Sequence, residues 1–167
     1  MRFIVDHDLH IHSQLSACSS DPEQSTQAIL NYSKENGFTH ICLTDHFWDE
    51  KLPGASDWYK PQNFEHICQA LPLPQAEGIR FSFGAETDMD KFFTIGTARE
   101  TFDRFDFVII PTTHLHMGGF TIDAEADEQE RQRLFIRRLD ALLDADIPFH
   151  KVGIAHLTCP LILRGNL

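Results

Sequence analysis

Histidine and glutamate recur at the ends of apolar segments throughout this sequence, which contains ten histidines in 167 residues. Five segments rich in Ile, Val and Phe each end in one or two residues that can bind a metal ion. These residues are His10 and His12, then His46, Glu86, His114 and His156. Random placement of the histidines would rarely give this regular pattern, so we interpret these residues as one functional set.

This combination of side chains is typical of a centre for divalent transition metals. Neutral imidazoles with a carboxylate suit zinc, manganese or iron, and a carboxylate such as Glu86 can bridge two cations. Two cations roughly 3.5–4 Å apart can activate water and stabilise a leaving oxygen, which serves phosphate ester hydrolysis without a Ser or Cys nucleophile. Glu86 and His46 are therefore candidate catalytic residues. Asp45 is a third candidate, because it neighbours His46. Its carboxylate could orient a metal-binding imidazole by accepting a hydrogen bond from the free N–H of that ring.

The five apolar segments are predicted to be buried β-strands, because they are short and rich in branched and aromatic residues. They span residues 2–12, 39–46, 79–86, 105–114 and 152–156. Most are separated by helix-like stretches, and this alternation indicates parallel strands in an α/β fold. Such folds bind ligands at the carboxyl ends of their strands. A barrel-like sheet would therefore point the polar strand ends at a common centre.

Three of the intervening stretches are predicted to contain helices. In the first, Ser20 or Asp21 can cap the start, Pro22 can occupy the first helical position and Gly37 can close the end. A short helix is expected over residues 62–71. Residues 123–146 predict a strong amphipathic helix with acids in its first turns. The apolar stripe of that helix consists of Leu134, Ile136, Leu139, Leu142 and Leu143.

Composition and charge narrow the classes of partner. The formal net charge of -11 argues against a nucleic-acid partner, because such binding relies on Lys and Arg at phosphates. A small anionic substrate is still compatible with this negative net charge, since bound cations can reverse the local electrostatic field. No apolar run reaches the roughly 18 residues of a membrane span, and residues 1–12 lack the apolar core of a signal peptide. These features predict a cytoplasmic protein with no membrane partner.

Five short motifs resemble, in order and in rough spacing, the successive motifs of the PHP (polymerase and histidinol phosphatase) family. They are DLHIHS (residues 8–13), LTDH (43–46), GAE (84–86), PTTHLH (111–116) and AHL (155–157). The resemblance runs over essentially the whole chain. It implies a distorted (β/α)7 barrel, of which about five β/α units are present here, with a centre of two or three metal ions. The ligands that the resemblance implies are His10, His12, His46, Glu86 and His156.

Two further ligand positions stay open within this resemblance. The fourth motif offers both His114 and His116, of which His114 directly continues the strand. Family members often place another ligand shortly after the H-x-H pair, where this chain has Cys18 and Asp21. Either residue could bind metal, and either could instead serve as a loop residue or a helix cap.

The carboxyl end of the sequence departs from the family pattern. Family barrels usually end with an Asp-x-His motif that completes the metal cluster, but the residues after His156 include neither Asp nor His. Five strands are also too few for the implied barrel and would leave an open sheet edge. We therefore expect a single PHP-like domain over residues 1–167 that is incomplete at its C-terminal end. The alternative is completion by another chain, for which a homo-oligomer is one arrangement.

The function that the sequence favours is a metal-dependent hydrolase, in particular a phosphoesterase that cleaves a small phosphate ester by metal-activated water. Its partner would be a small phosphorylated molecule. Two alternatives stay open. One is hydrolysis of an amide, ester or lactone, because related barrels show such chemistry. The other is a non-catalytic metal-binding domain, which the missing last motif makes more plausible.

Overall fold

Six parallel strands form one sheet in the computed structural model, which describes residues 4–19 and 21–157. The strands are β1 (His7–Ile11), β2 (His40–Leu43), β3 (His46–Phe47), β4 (Arg80–Thr87), β5 (Phe107–Ile109) and β6 (Val152–Gly153). The order across the sheet is β1-β2-β4-β5-β6, and β3 also pairs with β4. Residues of the two edge strands, among them His10 of β1 and Gly153 of β6, line one cavity of about 410 Å³. The sheet is therefore curled, with its two edges facing each other. The predicted α/β partial barrel is confirmed.

The second predicted strand is split into β2 and β3 by a short interruption at Thr44 and Asp45. Thr44 turns towards β1, where its backbone N–H donates to the Ile11 carbonyl at 2.7 Å. Asp45 accepts a 2.6 Å hydrogen bond from the Ser13 backbone N–H. These contacts draw the chain out of the sheet for two residues. His46 then rejoins the sheet directly beside Glu86 of β4.

The helices cover one side of this sheet and agree only in part with the prediction. They are α1 (Thr26–Glu35), α2 (Phe64–Ile67) and α3 (Glu128–Leu143), with 3₁₀ turns at Cys68–Ala70, Arg99–Arg104 and Phe149–Lys151. The predicted start of the first helix is wrong. The Ser25 side chain caps α1 by accepting from the Ala28 N–H, whereas Asp21 Oδ1 closes a local turn onto the Glu23 N–H. Ser20 lies outside the described residues. Gly37 follows the helix with a positive φ of 73°, as predicted for its end.

The predicted apolar stripe of α3 is also partly wrong. The buried residues of α3 are Leu134, Arg138 and Leu142, which lie four residues apart on one helix face. Ile136 and Leu143 are more than half exposed. An arginine therefore occupies the middle of the face that packs against the protein. The sequence pattern missed this because a charged residue counts as solvent-facing by default.

The core separates cleanly from the polar face of the sheet. Phe83 and Ala85 of β4 belong to the main apolar cluster, while Ser82, Gly84 and Glu86 alternate onto the other face. A Cβ atom at Gly84 would collide with the Phe107 carbonyl oxygen and lie 2.8 Å from Cys42 Sγ. Only glycine fits there, two residues before Glu86. Within the described part of the chain, none of the helices is long and apolar enough to cross a membrane.

Candidate metal centre

Glu86 lies at the centre of the strand-end histidines. Its carboxylate is 1% exposed. The Oε2 atom of Glu86 lies 3.2 Å from His10 Nε2, 3.0 Å from His12 Nε2 and 3.4 Å from His46 Nδ1. This arrangement follows from the topology, because parallel neighbouring strands deliver their carboxyl ends to the same edge. Three of the predicted ligand residues are therefore gathered around one carboxylate oxygen.

His114 and His156 approach Glu86 from the other side. His114 Nε2 lies 3.9 Å from Glu86 Oε1, and the imidazole rings of His114 and His156 are 5.2 Å apart between centroids. His156 has a φ of 53°, in the left-handed region that non-glycine residues seldom adopt. Glu86, His114 and His156 have ligand atoms within 4.8 Å of one another, as do His10, His12 and Glu86.

His116 does not join these groups, although the sequence offered it as a ligand. The chain turns after the fourth motif, and the intervening Leu115 is buried in a small apolar cluster with Ile122 and Leu134. This anchoring turns His116 outwards, where it is exposed and lines the cavity described below. Of the two alternatives in the fourth motif, the structure brings His114 to Glu86.

Asp45 is buried but does not touch an imidazole among the described hydrogen bonds. Its two oxygens accept from Ser13, one from the backbone N–H at 2.6 Å and one from the hydroxyl at 2.7 Å. Burial raises the pKa of the Asp45 carboxyl and outweighs the Ser13 hydrogen bonds, which lower it. The expected orienting contact to a histidine is therefore replaced by a clamp between the end of β1 and the chain before β3.

Cys18 lies beside the centre, whereas Asp21 does not. The Cys18 sulfur and one ring nitrogen each of His12 and His46 lie within 4.8 Å of one another. Burial raises the pKa of the Cys18 thiol, but hydrogen bonds with His12, His46 and Ser16 more than offset it and lower the pKa to about 5. Asp21 belongs to none of the candidate metal groups among the described residues.

A second layer of residues behind His114 was missed by the sequence analysis. Asp88 Oδ2 accepts a 2.8 Å hydrogen bond from His114 Nδ1, which leaves Nε2 of this histidine facing Glu86. Asp88 Oδ1 forms a 2.9 Å ion pair with Arg138 Nη2, and both side chains are fully buried. The Tyr59 hydroxyl lies 3.5 Å from Asp88 Oδ2 and 3.3 Å from His46 Nδ1. A carboxylate behind a histidine is the usual way to fix a metal ligand's tautomer.

The charges of the centre are strongly coupled. Burial raises the pKa of Glu86, but hydrogen bonds from His10 and His12 and the nearby His46 more than offset it, so the pKa is lowered overall. Burial lowers the pKa of His12, but contacts with Cys18 and Glu86 prevail and raise it to about 10. The group thus pairs an ionised Glu86 carboxylate with a protonated His12, and a cation bound there would take the place of that proton.

The residues present fit a divalent transition metal. Glu86 Oε1 is buried without any hydrogen-bond partner in the described structure. An unpaired buried carboxylate oxygen is costly, and a cation between Glu86, His114 and His156 would compensate it. The surrounding donors are imidazole nitrogens, which suit zinc, manganese or iron rather than calcium or magnesium.

Replacement of Asp88 by Asn should weaken metal binding without removing a ligand. The amide cannot compensate the Arg138 charge and no longer enforces the His114 tautomer. We expect the affinity for zinc to fall by about 10–100-fold, the range for residues behind metal ligands. Titration calorimetry on the folded variant measures this change. The exposed Asp123→Asn variant is the matched control and should bind zinc as the parent protein does.

An aromatic cavity adjoins the centre. It has a volume of about 570 Å³. Its lining residues are Cys18, His46, Ser56, Trp58, Tyr59, His114, His116, Met117 and Phe120. The Trp58 ring stands edge-on to His46, with 4.8 Å between centroids. Among the described residues that line it, none is Lys or Arg, so the candidate metal centre is the part of this lining that could hold an anionic group.

Comparisons with known proteins agree with this architecture. A similar solved structure is the histidinol phosphate phosphatase from Lactococcus lactis subsp. lactis Il1403, crystallised with zinc, L-histidinol and phosphate. It shares 22% sequence identity with this chain at a TM-score of 0.59, over 91% of this chain and 57% of that protein. This chain therefore spans little more than half the length of that relative. No curated protein matches this chain by sequence. The PHP domain model, however, matches residues 8–159, and this chain therefore belongs to the PHP domain family.

Proposed function

We propose that this chain hydrolyses a small phosphate ester at the metal centre around Glu86. The observation that carries the proposal is the Glu86 carboxylate itself, which is 1% exposed and lies within 3.4 Å of three imidazoles. One of its oxygens has no hydrogen-bond partner among the described residues. Membership of the PHP family supports it. So does the fold shared with a histidinol phosphate phosphatase.

The centre would hold two or three divalent cations, with zinc, manganese and iron as the candidates. The proposed ligands are His10, His12, His46, Glu86, His114 and His156, while His116 lies at the edge of the adjoining cavity. When bound, such cations activate water and stabilise the charge on a leaving oxygen. Because the imidazoles are neutral ligands, the loaded centre would be positive and would attract a phosphate, despite the net charge of -11 on the chain.

The three candidate catalytic residues take different parts in this proposal. Glu86 belongs to two of the candidate metal groups and would lie between neighbouring cations. His46 belongs to the group that includes Cys18 and also faces the cavity. Asp45 is a positioning residue, because its clamp on Ser13 holds the end of β1, and with it His12, against β3.

The aromatic cavity would receive the organic part of the substrate, with Trp58 as a contact. Trp58 is 40% exposed. We expect Trp58→Ala to raise the KM for an aryl phosphate about tenfold, since burial of an aromatic side chain contributes about 1.5–3 kcal/mol. The kcat and the metal content should change little. Phe92→Ala, which removes an exposed ring outside this cavity, is the control. A loss of bound metal in Trp58→Ala would contradict the assignment.

Phosphate release from p-nitrophenyl phosphate and from histidinol phosphate, by protein loaded with zinc or manganese, tests the proposed function. We expect turnover that a chelator abolishes and that His10→Ala lacks. Turnover of p-nitrophenyl acetate without phosphate release would favour the amide and ester hydrolases instead. Bound metal with no turnover of any of these esters would indicate a non-catalytic metal-binding domain. Either of these two results would overturn the phosphoesterase proposal.

A further inference from the structure

One corner of the centre differs chemically from the rest. The candidate groups around Glu86 offer only imidazole and carboxylate, but the group formed by His12, Cys18 and His46 includes a thiol. The rings of His12 and His46 are stacked, with 4.6 Å between centroids and 21° between planes. Cys18 Sγ therefore faces a pair of parallel imidazoles and could share a cation with them.

The loop that carries Cys18 is fixed by hydrogen bonds on both sides. The Ala17 N–H donates to Oε1 of the buried Gln62 at 2.9 Å, and His66 Nε2 lies 2.7 Å from the Leu15 carbonyl oxygen. These contacts join the loop to α2 and to the segment that leads into it. They hold the sulfur at the centre before any ligand arrives.

Ser16 joins the same loop to the His12 ring and to the backbone of His46. Its hydroxyl oxygen accepts from the His46 backbone N–H at 3.2 Å and lies 3.2 Å from His12 Nδ1. Cys18 Sγ is 3.4 Å from this hydroxyl. Ser16 thus connects the Cys18 sulfur with the His12 ring and with the backbone of His46. Glu86 Oε2 lies 3.0 Å from His12 Nε2 and 3.4 Å from His46 Nδ1.

We propose that the Cys18 thiolate is a metal ligand and that, with His12, His46 and Glu86, it makes this corner selective for zinc. The inference rests on the metal centre of the proposed function and adds a soft ligand to it. Four ligands of this kind suit tetrahedral zinc. Thiolate favours zinc over manganese, whereas imidazole and carboxylate discriminate less between them. The centre therefore consists of one zinc-selective position and at least one position that accepts other divalent cations.

Cobalt substitution tests this proposal by a signal independent of turnover. Cobalt bound to a thiolate gives a near-ultraviolet charge-transfer band that imidazole and carboxylate ligands do not produce. We expect this band in the parent protein and in Cys68→Ser, the matched control at a cysteine outside the metal groups. Cys18→Ser should lose the band while it retains cobalt at the other positions. It should also lose at least about tenfold of the preference for zinc over manganese.

Alkylation of the parent protein provides a second measurement that needs no variant. Zinc should slow the reaction of iodoacetamide with Cys18 by at least about tenfold, because a coordinated thiolate is masked, and should leave Cys68 unaffected. An equal rate at Cys18 with and without zinc would overturn the proposal. So would cobalt binding and phosphate release without the charge-transfer band, a result that refutes the thiolate ligand alone. Absence of any cobalt binding would refute both this inference and the metal centre.

Discussion

Glu86→Gln should abolish the metal centre while it preserves the shape of the side chain. Among the described residues, this carboxylate is the one that contacts His10, His12 and His46 together, and it belongs to two of the candidate ligand groups. The amide bridges cations poorly. We expect the affinity for zinc to fall by more than about 100-fold, beyond the range for residues that only support a ligand. Phosphate release should fall at least as far.

The measurement combines calorimetric titration with zinc and the rate of phosphate release from p-nitrophenyl phosphate. Glu100→Gln is the control, because Glu100 is exposed on a 3₁₀ turn away from the centre. It should match the parent protein in both assays. A Glu86→Gln variant that binds zinc with unchanged affinity would show that the carboxylate is not a ligand.

Arg138→Met should destabilise the fold far more than replacement of an exposed arginine of α3. Arg138 is fully buried, pairs with Asp88 at 2.9 Å and donates to the backbone carbonyls of Met89 at 2.7 Å and Thr112 at 3.2 Å. Its removal leaves the buried Asp88 carboxylate without its ion-pair partner, although the hydrogen bond from His114 remains, and breaking a buried ion pair costs about 3–5 kcal/mol. The melting temperature should fall by roughly 10 °C.

Unfolding in guanidinium chloride measures this loss, with Arg137→Met as the matched control one residue away. The Arg137 side chain is 61% exposed, so its replacement should change the free energy of unfolding by less than about 0.5 kcal/mol. The double variant with Asp88→Asn should be less destabilised than the sum of the two single variants, because the pair is coupled. Equal effects of Arg137→Met and Arg138→Met would contradict the buried ion pair.

The ends of β1, β3 and β4 could be predicted from the sequence because their signal is local. The expected ends at His114 and His156 were wrong, since β5 and β6 stop at Ile109 and Gly153. A histidine at the end of an apolar run reveals both the strand and the polar edge, and parallel topology brings such edges together. The sequence alone therefore indicates that His10, His46 and Glu86 lie side by side. The choice of His114 over His116 could not be made from the sequence. It depends on the burial of Leu115, which the motif alone does not show.

The second layer could not be predicted because its contacts join distant segments. Asp88 and Arg138 are 50 residues apart, and each by itself is an ordinary charged residue of a loop or a helix. The spacing of Leu134, Arg138 and Leu142 on one face of α3 is the signal that could have revealed a buried arginine. The interruption before β3 was missed for a similar reason, since it depends on the contact of Thr44 with the end of β1 and of Asp45 with Ser13.

Cys18 is another residue whose role could not be predicted from the sequence alone. Its position in the sequence allowed a ligand or an idle loop thiol, and the residues nearby could not decide between them. The fold places it with His12 and His46 because Gln62 and Ser16 fix its loop. Neither residue belongs to a recognisable motif. Which side chains hold such a loop in place depends on the fold of the whole domain, so no short sequence motif identifies them.

Anomalous diffraction at the zinc absorption edge, from crystals of the zinc-loaded protein, tests the central claim most directly. We predict at least two peaks among the strand-end histidines, with one or both within about 2.0–2.2 Å of a Glu86 carboxylate oxygen, the usual zinc–oxygen distance. Peaks confined to surface histidines such as His7, with none at Glu86, would contradict the metal centre and the hydrolytic function built on it.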